Sequence, residues 1–364
     1  MTRSKKQRVM VAMSGGVDSS AAAALLVEQG YDVVGVIMQV WDYSSNQCEI
    51  QEGNGTCCSS TDVDDARAVA DTLDIPFYVI NCEAKFKAKV IDDFVDSYAK
   101  GETPVPCVNC NTYLKFDHLY QKMKELECDF LATGHYAKLV HDENGKPMIQ
   151  TSTDDWKDQT YFLFTIDPKI VPKLMFPVGG MEKPKVREYA VKSGLPVADK
   201  RDSTGICFIG KTGYAPFVEQ RIDSAKIIKG KLLRFPGGEV MGTHNGIHQF
   251  TYGQRRGLGI SSDRPLYVVK IDASTGEVWL GEDEHLYTNE MQIERLNLLG
   301  ELHDGDVLKV KIRFHHEGGE AKLLKQPHGK FKVQFKEPQR AITPGQAAVF
   351  YRDDQLVGGG WITK

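Results

Sequence analysis

The chain has 364 residues with a formal net charge of −4, 41% hydrophobic and 26% charged residues, and eight cysteines at scattered positions. That length predicts two or three domains, each able to fold around its own core. No apolar run approaches the roughly 18 residues of a membrane span, and the N-terminus lacks the apolar segment of a signal peptide, so we expect a cytoplasmic protein with no membrane partner. In that reducing compartment the cysteines favour chemistry, metal binding or packing over a disulfide framework.

The N-terminal part of the chain alternates predicted strands with predicted helices. Strands are predicted over residues 8–13, 32–38, 77–81 and 130–133, and helices over residues 19–29, 62–73, 86–99, 113–127 and 185–193. Strands that alternate with helices of this length predict an α/β domain with a parallel sheet covered on both faces. We predict that this domain spans residues 1–217.

Two smaller domains are predicted after it. Residues 218–285 carry frequent glycines between short stretches, which is typical of a small central domain of short strands and turns. Residues 286–364 contain runs at 307–314, 331–335 and 347–351 in which apolar and polar residues alternate with a period of two. Such runs, separated by turn residues, predict a C-terminal β-barrel.

The most informative motif follows the first predicted strand and reads Ser14-Gly15-Gly16-Val17-Asp18-Ser19-Ser20. The glycines allow a tight turn that presents backbone N–H groups, the serines add hydroxyl donors, and the next helix directs its positive end at an anion. The Gly-Lys-Ser/Thr ending of a P-loop is absent from the motif. It resembles the motif of the PP-loop ATP pyrophosphatases, with their adenine nucleotide α-hydrolase-like fold, which split ATP between its α and β phosphates and activate a carbonyl oxygen as an adenylate.

Three cysteines stand in unusual surroundings. Cys107 and Cys110 form a C-x-x-C pair just ahead of the helix that is predicted to begin near Tyr113, and Cys207 lies in a segment between two glycines. A thiol near a helix N-terminus has a lowered pKa, and the thiolate is both a nucleophile and a metal ligand. A zinc ribbon would use a second C-x-x-C pair, and Cys107 and Cys110 form the one C-x-x-C of the sequence.

Several motifs together resemble the tRNA-specific 2-thiouridylase family, whose members replace the C2 oxygen of the wobble uridine with sulfur. They lie at residues 14–20, 132–137, 157–163, 202–210, 253–260, 340–346 and 358–360. The resemblance implies an adenylating PP-loop domain, a small central domain and a C-terminal barrel that contacts tRNA. It also implies ATP and Mg²⁺ as cofactors and, as partners, a tRNA with a wobble uridine and a sulfur-relay donor protein.

The same resemblance assigns individual residues to the nucleotide and to the tRNA. The ATP-binding residues would be Ala12, Met13, Ser14, Gly15, Gly16, Val17, Asp18, Ser19, Met38 and Gly134. The tRNA contacts would be His135, Lys157, Asp158, Gln159, Arg313, Phe314 and Gln346, with Val105, Pro106 and Cys107 beside the target base. A structural role competes at some of these positions, since a histidine after a glycine is often a turn residue and a Lys-Asp pair is often merely solvated.

The resemblance leaves two alternatives for the sulfur. In one, Cys207 carries a persulfide and Cys110 is its partner nucleophile, which leaves a Cys110–Cys207 disulfide. In the other, Cys107, Cys110 and Cys207 hold three irons of a [4Fe–4S] cluster whose fourth iron binds the incoming sulfide. Many family members have an aspartate where this chain has Cys107. The general acid/base therefore stays open, and Cys107 is a candidate proton carrier.

Two other classes of function remain open from the sequence. A PP-loop ligase that adenylates a small molecule would explain the ATP motif, but it would explain neither the paired cysteines nor the barrel. An RNA-binding protein that keeps the ATP motif only as structure is the second alternative. Phosphate contacts need only a local basic face. The candidates for such a face are Lys183, Lys185 and Arg187, the stretch Lys226–Arg234, and Arg255-Arg256.

Overall fold

The computed structural model describes residues 6–41, 60–202, 205–210 and 212–363. The chain divides into two compact units. The first unit comprises Met1–Val90, Cys107–Lys211 and Asp354–Leu356, and the second comprises Ile91–Pro106, Thr212–Asp353 and Val357–Lys364. Within the described ranges, no helix has the length and apolar character needed to cross a bilayer. The domain boundaries near residues 217 and 285 remain predictions.

The first unit is built on a parallel sheet. The strands of this unit are β1 (Arg8–Met13), β2 (Asp32–Gln39), β3 (Phe77–Asn81), β4 (Phe130–Thr133), β5 (Ala137–His141), β6 (Pro147–Thr151) and β7 (Leu174–Met175). The sheet has the order β3-β2-β1-β4-β7, and its pairings are parallel. The central strand β1 is almost wholly apolar, and Val9, Met10 and Val11 have no exposed surface, as expected for a sheet covered on both faces. The four predicted strands are confirmed, β2 extending one residue further.

The helices differ more from the sequence-based expectation. They are α1 (Val17–Glu28), α2 (Ser60–Thr72), α3 (Glu83–Phe86), α4 (Asp92–Ala99), α5 (Pro106–Asn109), α6 (Leu119–Glu125), α7 (Lys183–Lys192) and α8 (Tyr214–Glu219). A π-helical segment at Lys87–Ile91 joins α3 to α4, and another at Cys110–His118 joins α5 to α6.

The helix predicted to begin near Tyr113 begins at Pro106 instead. Proline is favoured at the first helical position because its fixed φ suits a helix and its missing N–H is not needed there. The prediction that Cys107 and Cys110 lie ahead of the helix is therefore wrong. Cys107 lies in the first turn, and Cys110 begins the π-helical segment.

One hairpin of the first unit was absent from the predicted elements. Strands β5 and β6 pair antiparallel, with Ala137 opposite Thr151 and His141 opposite Pro147. Their connection contains Gly145 with a φ of 77°, a left-handed conformation that glycine adopts readily. Gln150 of β6 also pairs with Gln355.

The second unit contains two β structures. Its first sheet consists of β8 (Gly230–Arg234), β9 (Val240–His244), β10 (Tyr267–Asp272) and β11 (Glu277–Gly281), in the order β10-β11-β8-β9. This confirms the short strands predicted for the central region. The remaining strands are β12 (Tyr287–Leu298), β13 (Val307–Lys311), β14 (Gly319–Lys325), β15 (Phe331–Arg340), β16 (Ala347–Arg352) and β17 (Gln355–Thr363). They follow the order β12-β15-β14-β13-β16-β17, and β12 also pairs with β17, so the predicted C-terminal barrel is confirmed as a closed one.

Candidate active site

The loop between β1 and α1 is folded around its own hydroxyl groups. The Ser14 N–H donates to Ser19 Oγ at 3.0 Å, and the two serine hydroxyls lie 3.1 Å apart. Gly15 has a φ of 68°, which favours glycine. The N-cap residue of α1 is Gly16, with no side-chain cap. The N–H groups of the first turn and the positive end of α1 are therefore suited to an anion.

The sheet brings the other predicted nucleotide residues to this loop. Strand β1 pairs with β2 on one side and with β4 on the other, so the carboxyl ends of all three strands share one edge. Met38 lies near the end of β2, and Gly134 directly follows β4. In open α/β sheets, ligands bind at this edge, where neighbouring connections run to opposite sides.

Gly134 is pressed against the start of α1. A Cβ atom built on Gly134 would lie 2.5 Å from the Ser19 nitrogen and 2.8 Å from the Asp18 carbonyl carbon. We expect Gly134→Ala to displace the loop and weaken ATP binding about tenfold or more, because overpacking of backbone against backbone costs about 1–3 kcal/mol. Equilibrium ATP binding measures the effect. Gly180→Ala is the matched control, since its Cβ would meet nothing within 4 Å; equal ATP affinity in the two variants would contradict the prediction.

Lys200 fixes the same loop from the other side. Its Nζ donates to Gly15 O at 3.0 Å and to Asp62 Oδ1 at 2.7 Å, and it also contacts Asp65. Burial alone would lower the pKa of Lys200, but the hydrogen bonds to both aspartates raise it. A charged lysine thus ties α2 to the turn at Gly15, and no local sequence motif indicated this contact.

A buried lysine lies behind Asp18. The Nζ of Lys183 donates to both carboxylate oxygens of Asp18, at 2.7 and 2.8 Å, and lies 2.8 Å from Asp202 Oδ1. Its side chain is only 9% exposed. The Tyr136 hydroxyl donates to Asp18 Oδ1 at 2.8 Å. Burial and the negative charge of Asp18 raise the pKa of Tyr136, so this hydroxyl keeps its proton and remains a donor.

Asp202 is the second carboxylate of this network. It accepts from Lys157 Nζ at 2.7 Å and from Arg187 Nη2 at 2.6 Å. Burial alone would raise the pKa of Asp202, but the hydrogen bonds from Lys157 and Lys183 lower it to about 2. The expectation that Lys183 belongs to an exposed basic face is therefore wrong, because its side chain is buried and engaged by two carboxylates. Arg187 is 32% exposed and is paired with Asp202, and its place on such a face remains a prediction.

His135 is an interior residue of the first unit. Its side chain is buried, and burial together with the nearby Lys115 charge holds its pKa well below the usual value. Lys115 Nζ lies 3.5 Å from His135 Nε2 and only donates, so we assign the ring proton to Nδ1, which donates to Thr133 Oγ1 at 2.7 Å. His135 is thus a neutral group with internal partners, and its contact with tRNA remains a prediction.

The loop at residues 157–159 also directs side-chain contacts inward. Asp158 is buried and accepts from the Ser152 N–H at 3.1 Å and from the Thr160 hydroxyl at 2.7 Å. The Oε1 of Gln159 accepts from the Tyr136 N–H at 3.0 Å. These contacts give the loop a fixed shape, and the roles of Lys157, Asp158 and Gln159 in tRNA binding remain predictions.

The two cysteines of the C-x-x-C pair are more accessible than the residues that precede them. Val105 and Pro106 are buried, whereas Cys107 is exposed and Cys110 is partly buried. Helix α3, which directly follows Cys82, contacts the π-helical segment that begins at Cys110. Burial raises the pKa of the Cys82 thiol to about 11. Cys82 therefore keeps its proton at neutral pH, and no motif of the sequence indicated a role for it.

The residue after Cys207, Phe208, packs its ring into the first unit. Phe208 is buried, and its ring packs against Phe86 at 5.9 Å and against Trp41 at 6.5 Å. Phe86 belongs to α3, which directly follows Cys82. The segment Cys82–Phe86 therefore lies next to both the Cys110 and the Cys207 regions, although 97 positions separate these two cysteines in the sequence. Positions 203 and 204 of the Cys207 motif lie outside the described residues.

The three candidate cluster cysteines are all at least partly accessible: Cys107 is exposed, and Cys110 and Cys207 are partly buried. Among the residues that the structure describes, which include Cys107, Cys110 and Cys207, no group of three His, Cys, Asp or Glu side chains could hold a metal ion. In a [4Fe–4S] cluster the three cysteines would bind three different irons. The cluster alternative remains a prediction beside the persulfide route.

The predicted tRNA contacts of the barrel lie in the second unit. Arg313 is exposed, and its Nη1 donates to Arg340 O at 3.1 Å. The ring centroids of Phe314 and His315 are 4.3 Å apart. A cavity of about 520 Å³ beside them is lined in part by Arg313 and His316. The amide of Gln346 donates to Thr103 O at 2.9 Å.

A glycine-serine loop lies at the carboxyl edge of a parallel sheet, the helix after it has no side-chain cap, and Asp18 of the loop pairs with the buried Lys183. These features define a PP-loop protein, a class that uses ATP. Three family models cover the chain: "tRNA methyl transferase HUP domain" over residues 7–211, "tRNA methyl transferase PRC-barrel domain" over residues 215–282 and "Aminomethyltransferase beta-barrel domain" over residues 288–362.

Curated relatives match the chain along its whole length. A tRNA-specific 2-thiouridylase MnmA of Lachnoclostridium phytofermentans is 45% identical over 360 residues, which cover 98% of this chain and 100% of the relative. The protein with the same name from Geobacter metallireducens is 44% identical, covering 100% of this chain and 98% of the relative. The chain belongs to the tRNA-specific 2-thiouridylase family.

Proposed function

We propose that the chain is an ATP-dependent tRNA 2-thiouridylase, a sulfurtransferase that adenylates the C2 oxygen of the wobble uridine and replaces it with sulfur. One observation carries the proposal: an ATP loop and the Cys110 and Cys207 segments occur in one unit of a chain that matches tRNA-specific 2-thiouridylases end to end. A small-molecule ligase has no use for these cysteines or for the barrel.

The loop between β1 and α1 binds the phosphates in this proposal, and Met38 contacts the adenine. Magnesium is usually held by one or two carboxylates together with substrate phosphates. Asp18 is the carboxylate of the loop, and its side chain is 32% exposed, so it fits such a role. When bound, Mg²⁺ neutralises charge that develops on the leaving pyrophosphate. Lys183 adds a fixed positive charge behind Asp18.

Adenylation prepares the uridine for substitution. The target base must leave its stack to reach a protein site. Its C2 oxygen attacks the α phosphorus of ATP, pyrophosphate leaves, and the oxygen then departs with AMP when sulfur attacks C2. The tRNA is the partner, and Arg313 and Phe314 offer a cation and an aromatic ring of the kind that bind RNA phosphates and bases.

The sulfur step uses two cysteines. A relay protein supplies Cys207 with a persulfide, whose terminal sulfur is the one transferred. Cys110 attacks the Cys207 Sγ, so that a Cys110–Cys207 disulfide forms and hydrosulfide leaves to attack C2. In the other order, the terminal sulfur attacks C2 first and Cys110 then cleaves the sulfur–sulfur bond. Either order oxidises the two cysteines, and an external thiol must return two electrons before the next turnover.

Nucleoside mass spectrometry tests the function. Unmodified tRNA is incubated with the protein, ATP, Mg²⁺ and sulfide or a persulfide donor, and 2-thiouridine, AMP and pyrophosphate are quantified. We expect one AMP and one pyrophosphate for each 2-thiouridine. Iron-free protein and anaerobically iron-reconstituted protein are compared in parallel, and we expect equal activity because the persulfide route uses no iron.

The alternatives give different products. Activity only after reconstitution would overturn the persulfide route and make the three cysteines iron ligands. The ligase would be favoured if no sample formed 2-thiouridine and if AMP were released from ATP when a small amine acceptor was added. A methylated nucleoside in place of 2-thiouridine would favour tRNA methyl transfer, the reaction named in the descriptions of two of the matching family models.

A further inference from the structure

Lys115 and Cys110 lie on the same side of one helical segment. Lys115 is five residues after Cys110 in the π-helical segment Cys110–His118. In a π-helix the hydrogen bonds join residues i and i+5, so side chains four or five positions apart lie close together on the helix surface. In an α-helix, with 3.6 residues per turn, residues five apart would point in directions about 140° apart. The π-helical winding therefore places Lys115 on the side of the helix that carries Cys110.

The ammonium group of Lys115 lies at the end of strand β4. Its Nζ is 3.5 Å from His135 Nε2. His135 directly follows Gly134, and a Cβ atom on Gly134 would collide with the backbone of the first turn of α1. All of these residues belong to the first unit. Lys115 thus reaches from the helix of Cys110 to the carboxyl edge of the sheet, where the phosphate loop between β1 and α1 lies.

Lys115 differs in its partners from the other lysines described near the phosphate loop. Lys183 and Lys200 are both held by aspartates. Among the residues that the structure describes, no carboxylate lies within ion-pair distance of Lys115 Nζ. Its neighbour His135 is neutral, and an ammonium group has three N–H donors, so donors remain for a further acceptor. The side chain is partly buried, where a positive charge acts on an anion more strongly than it does in bulk water.

The α phosphate of ATP is the anion that this position suits. In the proposed function, the C2 oxygen of the uridine attacks the α phosphorus at the phosphate loop, and C2 must then face the sulfur that comes from Cys110 and Cys207. The α phosphate therefore stays between the loop and the cysteines in both steps. It carries negative charge while its bond to the C2 oxygen forms and its bond to pyrophosphate breaks, and again when AMP leaves with that oxygen. A preorganised cation beside it stabilises both transition states.

We propose that Lys115 is a further catalytic residue: its ammonium group contacts a nonbridging oxygen of the α phosphate during adenylation and during the departure of AMP. The proposal rests on the proposed function. Lysine binds phosphate as a point charge, and here the charge comes from the helix of Cys110 rather than from the phosphate loop. One helical segment thus carries both a sulfur-handling cysteine and the cation that stabilises the leaving group.

Loss and recovery of the charge test the proposal. Pyrophosphate release is followed in a single turnover at saturating ATP and tRNA, without a sulfur donor. We expect Lys115→Met to lower this rate about a hundredfold to a thousandfold. The dissociation constant for ATP is expected to rise by no more than about fivefold, because the contact strengthens in the transition state. Lys115→Arg keeps the charge and should recover at least about tenfold of the loss.

The matched control removes a lysine from the next helix of the same unit. Lys124 of α6 is exposed, and its Nζ lies 4.4 Å from the centroid of the Tyr120 ring. Lys124→Met makes the same change of charge and shape as Lys115→Met, and we expect native rates of pyrophosphate release. A fall in rate equal to that of Lys115→Met would show a general effect of net charge and would overturn the proposal.

The two α-thio diastereomers of ATP separate a direct contact from a structural effect. Each replaces one nonbridging α oxygen by sulfur, which is a weak acceptor. If Lys115 contacts one of these oxygens, sulfur at that position slows the native protein and slows Lys115→Met much less. A lysine that only shapes the helix would leave the ratio of the rates with ATP and with each analogue unchanged. That result, or a native rate in Lys115→Met, would overturn the proposal.

Failure of the proposed function gives a different result. If the native protein releases pyrophosphate with a small amine acceptor and not with tRNA, the proposed function is wrong, and the α-thio comparison with that acceptor still tests the contact. Circular dichroism establishes that each variant is folded. If Lys115→Met does not fold, Lys115→Arg replaces it in the α-thio comparison, because a guanidinium group places its donors differently. A changed ratio then supports the contact, and an unchanged ratio contradicts it.

Discussion

We expect Lys183→Ala to lower the rate of tRNA adenylation about a hundredfold to a thousandfold, the scale on which loss of one preorganised electrostatic group acts. The Nζ of Lys183 contacts both oxygens of Asp18 and one of Asp202. Without it, Asp18 keeps only the Tyr136 hydroxyl among its side-chain contacts described above, and the site loses a positive charge beside the phosphate loop. Pyrophosphate release in a single turnover measures the effect.

The same substitution also lowers stability. Removal of one partner from a fully buried ion pair costs about 3–5 kcal/mol, but Asp18 is 32% exposed and Asp202 is 25% exposed. We therefore expect a loss of about 1–3 kcal/mol in the free energy of unfolding, measured by urea titration. Since that loss leaves most of the protein folded, the fall in rate is separable from unfolding.

Two further variants sharpen this test. Lys185→Ala removes an exposed lysine from the same helix and should leave both the rate and the stability near native values. Combining Lys183→Met with Asp18→Asn gives a double-mutant cycle. We expect the double variant to be less impaired than the sum of the two single effects, because residues in contact couple. Additive losses, or a Lys183→Ala enzyme with native adenylation, would refute the role of the pair.

The sequence predicted the strand, turn and helix around the phosphate-loop motif well because their signals are local. Apolar residues run from Val9 to Met13, glycines follow, and alanines fill α1, so strand, turn and helix all come from adjacent residues. The pairings of β1 then place Met38 and Gly134 at the same edge. The alternation of strands and helices predicted the parallel sheet, whereas Met38 and Gly134 were assigned to the nucleotide through the family resemblance.

Contacts between distant parts of the chain were not predictable in this way. Lys183 and Asp18 are separated by 165 positions, and the lysine lies in a charged stretch that resembles a solvated face. The start of the helix that carries Cys107 and Cys110 was misplaced for a different reason. A proline such as Pro106 can interrupt a helix or occupy its first position, and the local sequence does not distinguish these two cases. The β5–β6 hairpin did carry a local signal, the Asn144-Gly145 turn between alternating residues.

Sulfur transfer should depend on two cysteines and tolerate change at the third. We expect Cys110→Ser and Cys207→Ser each to lower 2-thiouridine formation by more than about a thousandfold, as expected when a nucleophile is lost. Adenylation should continue, because neither thiol belongs to the ATP loop, so pyrophosphate is still released. Cys128→Ser is the control: it changes a buried thiol whose Sγ donates to Leu126 O at 3.6 Å, away from the ATP loop residues.

The substitution Cys107→Asp separates the persulfide route from the cluster. It introduces the residue that many family members have at this position. Cys107 is exposed in the first turn of its helix, where a carboxylate is accommodated in water and is favoured by the helix dipole. We expect this variant to retain 2-thiouridine formation within about tenfold, since an aspartate can carry the proton. A cluster would lose a ligand and all activity, and that result would overturn the persulfide mechanism.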